Sequence, residues 1–130
     1  MRKNAKKTQY WVGGASWDDE AMFETFILRG YWESGYLKGA VTKYDKRISQ
    51  VKSGDRIAIK SMLGPGHPNI RIKAIGIIKD VEMDGDQRVY VDWILTNLNR
   101  IVPSKGCYGT IHGPFFLKNN SEWIGKVFRI

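Results

Sequence analysis

The sequence predicts an α+β fold in which mostly antiparallel strands curl into a small barrel with three helices packed outside it. Three observations support this prediction. Apolar residues recur with a helical period in the first quarter, around residue 48 and at the end of the chain, whereas residues 56–102 alternate mainly with the period of strands. Asp84 and Gly85 separate two long alternating runs, which is a strong signal for a β-hairpin. The 130 residues suffice for one continuous core, and the sequence contains no internal repeat of the kind that solenoid proteins have.

The first forty residues are predicted to contain a strand, a helix and a loop. The strand spans 9–14 and ends in two glycines. The helix spans 18–29, because Ser16 shortly precedes three acidic residues, which favour a helix start, and Gly30 favours a helix end. Residues 31–42 combine aromatic residues with glycines and show no clear period, so we predict a loop there.

The middle of the chain is predicted to be mainly strand. After a second, shorter helix at 44–51, a Ser-Gly-Asp turn leads into a strand at 56–60. Glycines and prolines at 64–69 indicate an exposed loop. Two long strands follow at 70–82 and 87–95, joined by the Asp-Gly hairpin.

The last third of the chain is predicted to end in a helix. Residues 97–102 are a candidate strand, and residues 104–114 are rich in turn formers. Ser121 is a suitable cap for the last helix. The apolar residues with helical spacing in this helix are Trp123, Ile124, Val127 and Phe128.

The charge is unevenly distributed along the chain. Twenty-one Lys and Arg against 13 Asp and Glu give a formal net charge of +8, and residues 38–79 alone hold ten basic and two acidic side chains. Such a block is typical of a surface that binds phosphates. The candidate phosphate-binding residues are Lys38, Lys43, Lys46, Arg47, Arg71 and Lys73. The alternative is a solvated surface that keeps the protein soluble.

Several classes of function find little support in the residues. No stretch approaches the ~18 consecutive apolar residues of a membrane span. The basic residues at the N-terminus are not followed by the apolar segment of a secretory signal. Residues 1–8 are predicted to form a disordered basic arm, and residues 9–130 a single domain. Cys107 is the single cysteine, and two histidines are too few for a usual zinc site. We therefore expect a cytoplasmic protein that is not an enzyme and has no metal ion, cofactor or membrane partner.

The aromatic residues are the stronger indication of function. Five Trp and six Tyr are many for this length, and several lie in glycine-rich segments beside the basic block. Rings in such loops are suited to stacking on bases and to enclosing a methyl group. Trp17, Trp32 and Tyr36 are the candidate pocket residues. For Trp93 a position in the pocket and a position in the core are equally favoured, and we include it with the pocket candidates. Tyr44 and Trp123 are assigned to the core.

Four segments together resemble a known family. They are Tyr-Trp-Val-Gly-Gly at 10–14 before an acidic helix, Trp32, the Val-Lys-Ser-Gly-Asp-Arg-Ile-Ala-Ile-Lys run at 51–60, and Tyr-Gly-Thr-Ile-His at 108–112. They resemble the EVE-type branch of PUA-like domains, and in particular the N-terminal DNA-binding domains of some McrB-like restriction ATPases. The resemblance spans about residues 9–128.

The resemblance implies a pseudo-barrel with a pocket for a flipped, modified base. EVE domains are similar in fold to YTH domains, which hold a methylated adenine in an aromatic cage. Trp32 matches the loop Trp of the EVE pattern and would be one wall, with Trp17 as the second, while Ser16 and Asp18 could hydrogen-bond the base edge. In a typical EVE motif the Trp is followed by Arg-Asn, whereas Glu33 follows Trp32 here. The resemblance therefore does not identify which modified base is bound.

The McrB-like resemblance also implies a motor or nuclease domain or protein as a partner, because those proteins continue into a nucleotide-hydrolysing motor. The 130 residues contain no Walker motif. We expect a nucleic-acid-binding module that recognises a modified base in DNA. The alternatives are an RNA-binding PUA-like module, a sensor of a free nucleotide and a purely structural interaction module.

Overall fold

The structure, a computed structural model, describes residues 7–17 and 20–130, with every side chain in them except those of Trp17 and Glu20. Most of the predicted basic arm therefore lies outside the described residues. Its last two residues, Lys7 and Thr8, are exposed and belong to no regular element. Asp18, a candidate base contact, also lies outside the described residues.

The described residues form strands and helices in an order close to the predicted one. In chain order they are β1 (Tyr10–Gly14), β2 (Ser16–Trp17), β3 (Glu20–Ala21), α1 (Phe23–Arg29), β4 (Tyr31–Trp32), α2 (Thr42–Ile48), β5 (Arg56–Met62), β6 (Asn69–Glu82), β7 (Arg88–Leu95), β8 (Arg100–Pro103), β9 (Ile111–Phe115) and α3 (Leu117–Phe128).

One mixed sheet organises the fold. Its strand order is β4-β7-β6-β5-β1-β9, and β8 pairs with β6 beside this path. β1 and β5 are parallel, whereas the other strand pairs described in this sheet are antiparallel. The α+β class and the mostly antiparallel sheet are thus confirmed. The predicted closure into a barrel is wrong, because β4 and β9 stand at opposite ends of the order and do not pair.

A side chain of β4 contacts β1, although these two strands do not pair. Trp32 lies in the two-residue strand β4, and its Nε1 donates a hydrogen bond of 2.8 Å to the carbonyl oxygen of Gly14 in β1. Gly13 leaves room for the ring, since a Cβ at that position would lie 2.7 Å from the same nitrogen. The indole therefore joins β4 to β1 without backbone pairing.

The first helix is shorter than predicted at its start. Ser16 does not cap it, because β2 pairs antiparallel with β3, placing Ser16 opposite Ala21. The helix begins at Phe23 instead. Its predicted end is confirmed: Gly30 has a φ of 75°, and its N–H donates to the carbonyl oxygen of Phe26.

The predicted loop at 31–42 is wrong at both ends. Tyr31 and Trp32 form β4 because they pair with Tyr90 and Val89 of β7. At the other end, α2 already begins at Thr42. The short strand at 111–115 was not predicted.

The last helix also differs at its start. It begins at Leu117, and its backbone is interrupted at Asn120, which has a φ of −140°. Ser121 therefore starts the second part of α3 and not the whole helix. At 12 residues α3 is the longest helix described, and no helix among the described residues combines the length and the apolar character that crossing a membrane requires.

The central strands are covered on both faces. Consecutive residues of β1 enter different clusters, Trp11 with Phe26 of α1 and Ile48 of α2, and Val12 with α3. Trp123 of α3 is buried, as predicted. Because both faces are covered, residues 57–60 of β5 are all buried, although the sequence predicts an alternating strand there.

A buried carboxylate fixes the start of the parallel pair. Asp55 is 4% exposed and lies in the turn before β5. Its Oδ2 accepts hydrogen bonds from the Nε1 of Trp11 at 3.0 Å, the Nε2 of Gln9 at 2.9 Å and the N–H of Lys52 at 2.9 Å. Since the donors belong to both β1 and the turn, the carboxylate sets these two segments side by side.

Gly13→Ala is expected to destabilise the protein, because the new Cβ would lie 2.7 Å from Nε1 and 2.9 Å from Cε2 of the buried Trp32 ring. We expect a loss of about 1–3 kcal/mol in the free energy of unfolding, measured by urea denaturation. Gly125→Ala is the matched control, since a Cβ in this exposed helical position meets nothing within 4 Å. The control should gain up to about 1 kcal/mol. Equal stability of the Gly13→Ala variant and the parent would contradict the role given to the indole.

Candidate functional site

A cavity of about 350 Å³ opens where β1 and β5 end side by side. The parallel register places Gly14 opposite Lys60, and β9 starts at the same end of the sheet. Carboxyl ends of neighbouring parallel strands commonly form ligand sites in open sheets. The lining residues come from five segments of the chain: Gly14, Ala15 and Ser16; Ser34; Tyr44; Lys60 and Met62; and Tyr108, Gly109 and Thr110.

A somewhat larger cavity, of about 410 Å³, lies between α3 and the sheet. Its walls are mainly apolar, with Ile75, Ile94, Leu117 and Phe128 among them. No residue predicted to bind a base or a phosphate lines it. The cavity at the ends of β1 and β5, hereafter the strand-end cavity, is therefore the candidate site.

Lys60 is the most unusual residue of the strand-end cavity. It is 6% exposed, and the hydrogen-bond contact described for its Nζ is to the sulfur of Met62, a weak acceptor, at 3.6 Å. Neither of the two ion pairs found in the described part of the chain involves it. Burial lowers the pKa of the Lys60 ammonium, against smaller opposing effects of Cys107 and Tyr44. A buried cation without a carboxylate is costly and often marks a functional site.

Two tyrosines give the strand-end cavity aromatic walls. The hydroxyl of Tyr44 accepts the N–H of Thr110 at 3.3 Å. The hydroxyl of Tyr108 accepts from the Ser104 hydroxyl at 2.7 Å and donates to the carbonyl oxygen of His67 at 2.9 Å. These bonds hold both rings, and Tyr108 also ties the loop before β9 to the loop before β6.

The surroundings of the strand-end cavity are positively charged. Burial raises the pKa of the Tyr44 hydroxyl, but the hydrogen bond from Thr110 and the charges of Lys43 and Arg47 together lower it below its ordinary value. Arg47 also donates to the carbonyl oxygen of Ile111 at 2.6 Å, which fixes its guanidinium beside the start of β9.

The same positive charges act on His112, at the start of β9. Burial, followed by the charges of Arg47, Lys60 and Lys43, lowers its pKa to about 4. The ring is therefore neutral near pH 7, and its Nε2 accepts the N–H of Gly109 at 2.7 Å. This bond fixes the backbone of a lining residue.

Cys107 lies in the segment before β9, and its side chain is part of the core. It is fully buried, and burial raises the pKa of its thiol to about 11. A thiol with this pKa holds its proton at neutral pH and is a poor nucleophile.

Two of the predicted pocket residues lie in or beside the strand-end cavity. Ser16 lines it. Tyr36 is 44% exposed and does not line the cavity, but its ring lies 5.7 Å from that of the lining residue Tyr44. Trp17 follows Ser16 directly in β2, but its side chain is outside the described residues, so its role stays a prediction.

Two other residues that were predicted to line the pocket, Trp32 and Trp93, do not line the strand-end cavity. Trp32 is 0% exposed and packs in the core under Gly13, so it offers no open ring face. Trp93 lies apart from the cavity, and its Nε1 donates to the carbonyl oxygen of Phe26 at the end of α1. Both indoles donate to backbone carbonyl groups from other segments, which the local sequence could not indicate.

The predicted phosphate-binding residues fall into two groups. Lys43, Lys46 and Arg47 lie on α2, which also contributes Tyr44 to the strand-end cavity. Lys38 precedes this helix and is exposed. Lys43 and Arg47 are close enough to Tyr44 and His112 for their charges to lower both pKa values, whereas the backbone N–H of Lys38 donates to Gly85 in the β6–β7 hairpin.

Arg71 and Lys73 lie on β6 and do not line the strand-end cavity. The Nε of Arg71 donates to Asn99 at 2.7 Å, and the Nζ of Lys73 lies 4.1 Å from the centre of the Phe23 ring. The structure therefore does not bring them together with the cations of α2 at the cavity.

The residues that sequence reasoning missed are Lys60, Tyr44 and Tyr108. The sequence around Lys60 carried a signal, since this residue directly follows the apolar run Ile-Ala-Ile in a predicted strand. Tyr44 has helical spacing with Ile48, which favoured the core. Tyr108 lies in a turn-rich segment that has no hydrophobic periodicity, so its position in the fold could not be predicted.

The low pKa of His112 predicts that stability falls in mild acid. The unfolded imidazole has an ordinary pKa of about 6.5, so between this value and about 4 the unfolded chain binds a proton that the native state does not. The free energy of unfolding should therefore decrease as the pH falls through this window, by at most about 1.4 kcal/mol per pH unit from this residue.

Urea denaturation between about pH 4 and pH 7.5 measures this effect. His112→Gln keeps an acceptor for Gly109 but does not titrate, so its pH dependence should be shallower than that of the parent. Identical pH profiles would exclude His112 as the source.

The chain matches no protein-family model, and no curated protein is significantly similar to it. The resemblance to EVE-type domains accordingly stays a prediction based on the residues.

Proposed function

We propose that this chain is a nucleic-acid-binding module that holds an extruded, modified DNA base in the strand-end cavity. The observation that carries the proposal is the meeting of tyrosine rings and a buried lysine, without an ion pair among the described residues, in one cavity beside a cationic helix. An extruded base needs a stacking partner and hydrogen bonds to its edge, and the backbone beside it needs cations.

Tyr44 and Tyr108 are suited to contact the faces of a base. Stacking on an aromatic ring contributes about 1–3 kcal/mol per base and is available to any base. The ring of Tyr36 packs against that of Tyr44, with the two ring centres 5.7 Å apart. A methyl group on the base would pack on such rings with little desolvation cost, which favours a methylated ligand.

The cations of α2 are suited to bind phosphates. Lys43 and Lys46 are exposed, and Arg47 is held beside the cavity by its bond to Ile111. Phosphate contacts of this kind would supply most of the affinity and make it dependent on salt. The formal net charge of +8 is favourable for such binding.

The resemblance adds support, because three of the segments that carry it converge on the strand-end cavity. Residues 10–14 form β1, which ends there, residues 51–60 end at Lys60, and residues 108–112 border it. The resemblance itself assigns Trp32 to the pocket wall, and since Trp32 is buried here, the support comes from these three segments and not from that residue.

The function is tested by fluorescence anisotropy with one duplex that contains methyladenine, methylcytosine or neither, at two salt concentrations. We expect a methylation-dependent affinity on top of a steep salt dependence. Binding blind to methylation would contradict base recognition. Preference for a matched RNA would favour the RNA alternative, and tight binding of a mononucleoside without salt dependence would favour a nucleotide sensor.

The double variant Lys43→Gln, Lys46→Gln is expected to weaken binding equally for all duplexes. The slope of log affinity against log salt should become shallower by ~0.9 for each phosphate that the variant no longer neutralises. The preference for a methylated base should persist, because neither lysine lines the strand-end cavity.

The matched control is Lys118→Gln, Lys126→Gln on α3, which removes the same charge from exposed positions. Its salt slope should stay close to that of the parent. Equal losses in both double variants would indicate that net charge alone, and not the α2 surface, binds the nucleic acid.

A further inference from the structure

Lys60 lines the strand-end cavity beside Gly14, its partner in the parallel pair. A Cβ placed at Gly14 would lie 3.7 Å from the Nζ of Lys60 and 3.8 Å from its Cε, which is ordinary van der Waals contact. The end of the lysine side chain therefore lies beside the backbone of Gly14, at the end of β1 where the cavity opens.

The polar groups around Lys60 are largely engaged with other groups of the protein. Ser34 exchanges hydrogen bonds with the backbone of Tyr36, and the hydroxyls of both cavity tyrosines bond to neighbouring loops. Lys60 is different, since its ammonium has three donors and contacts only the Met62 sulfur among the hydrogen-bond partners found in the described residues.

We propose that Lys60 determines which base the strand-end cavity accepts, by donating a hydrogen bond to an exocyclic carbonyl oxygen of that base. The inference rests on the proposed function and deepens it. It assigns the ligand to the bases that have such an oxygen, namely cytosine, thymine, guanine and their modified forms, and not to adenine.

The chemistry of the base edges supports this assignment. A buried ammonium forms its strongest hydrogen bonds with oxygen acceptors of high negative charge. Guanine offers O6, thymine offers O4 and cytosine offers O2, whereas the exocyclic group of adenine is an amino donor that would face the ammonium unfavourably. A phosphate oxygen has the same acceptor chemistry, so the experiment has to separate the two sources.

The test compares guanine with 2-aminopurine at one position of a DNA duplex. 2-Aminopurine lacks the O6 oxygen of guanine and the N1 hydrogen that accompanies it, and its fluorescence increases when the base leaves the stack. Anisotropy titrations with the parent chain should show affinity higher by about tenfold for guanine than for 2-aminopurine. Cytosine should likewise bind more tightly than adenine at the same position.

Lys60→Met removes the charge and keeps an unbranched apolar chain. We expect it to abolish the guanine preference without changing the salt slope, and to leave thermal stability equal or higher, because a buried charge has been removed. Lys60→Arg, which retains donors, is the second variant and should keep a preference for oxygen-bearing bases. Together the two variants separate loss of the hydrogen bond from loss of the fold.

The outcomes distinguish this inference from the function on which it rests. If 2-aminopurine leaves the stack but Lys60→Met keeps the guanine preference, or if adenine binds best, Lys60 does not select the base. If Lys60→Met weakens all duplexes equally and lowers the salt slope by about one, the lysine binds a phosphate and the inference is overturned. If no base leaves the stack and none is preferred, the proposed function itself is wrong.

Discussion

The carboxylate of Asp55 is the interaction on which the rest of the structure depends. It accepts hydrogen bonds from Gln9 and Trp11 at the start of β1 and from Lys52 in the turn before β5, so it holds two segments that are distant in the chain side by side. Their parallel register follows. Because the register is fixed, both strands end at the same edge of the sheet, and the strand-end cavity forms beyond that edge.

A side-chain hydrogen bond links β4, at one end of the strand order, to β1, which pairs with β5 and β9. The indole of Trp32 reaches the carbonyl oxygen of Gly14 and occupies the space that Gly13 leaves free. A buried indole needs an acceptor for its N–H, and an open strand end offers carbonyl groups that need donors. This arrangement satisfies both and brings the turn after β4, with Ser34, to the strand-end cavity.

Charge and burial at the strand-end cavity act together. Burial and the positive field of Lys60, Lys43 and Arg47 keep His112 neutral, and the neutral ring accepts the N–H of Gly109 and fixes the loop before β9. The field is built from residues of β5 and α2, which are separate elements of the chain. Under the proposed function, a ligand with acceptor oxygens would compensate the buried ammonium, and this compensation would favour its binding.

The sequence by itself determined the α+β class, the Asp-Gly hairpin between β6 and β7, the helix end at Gly30 and the cationic character of α2, because each depends on neighbouring residues or on composition. Only the tertiary structure decided that Trp32 is buried, that Ser16 lies in a strand and that Lys60 faces a cavity. The reason is physical: the burial of a side chain depends on groups that the fold brings from elsewhere in the chain. Gly14, opposite Lys60, and β9, beside β1, are such groups, and no local pattern reports them.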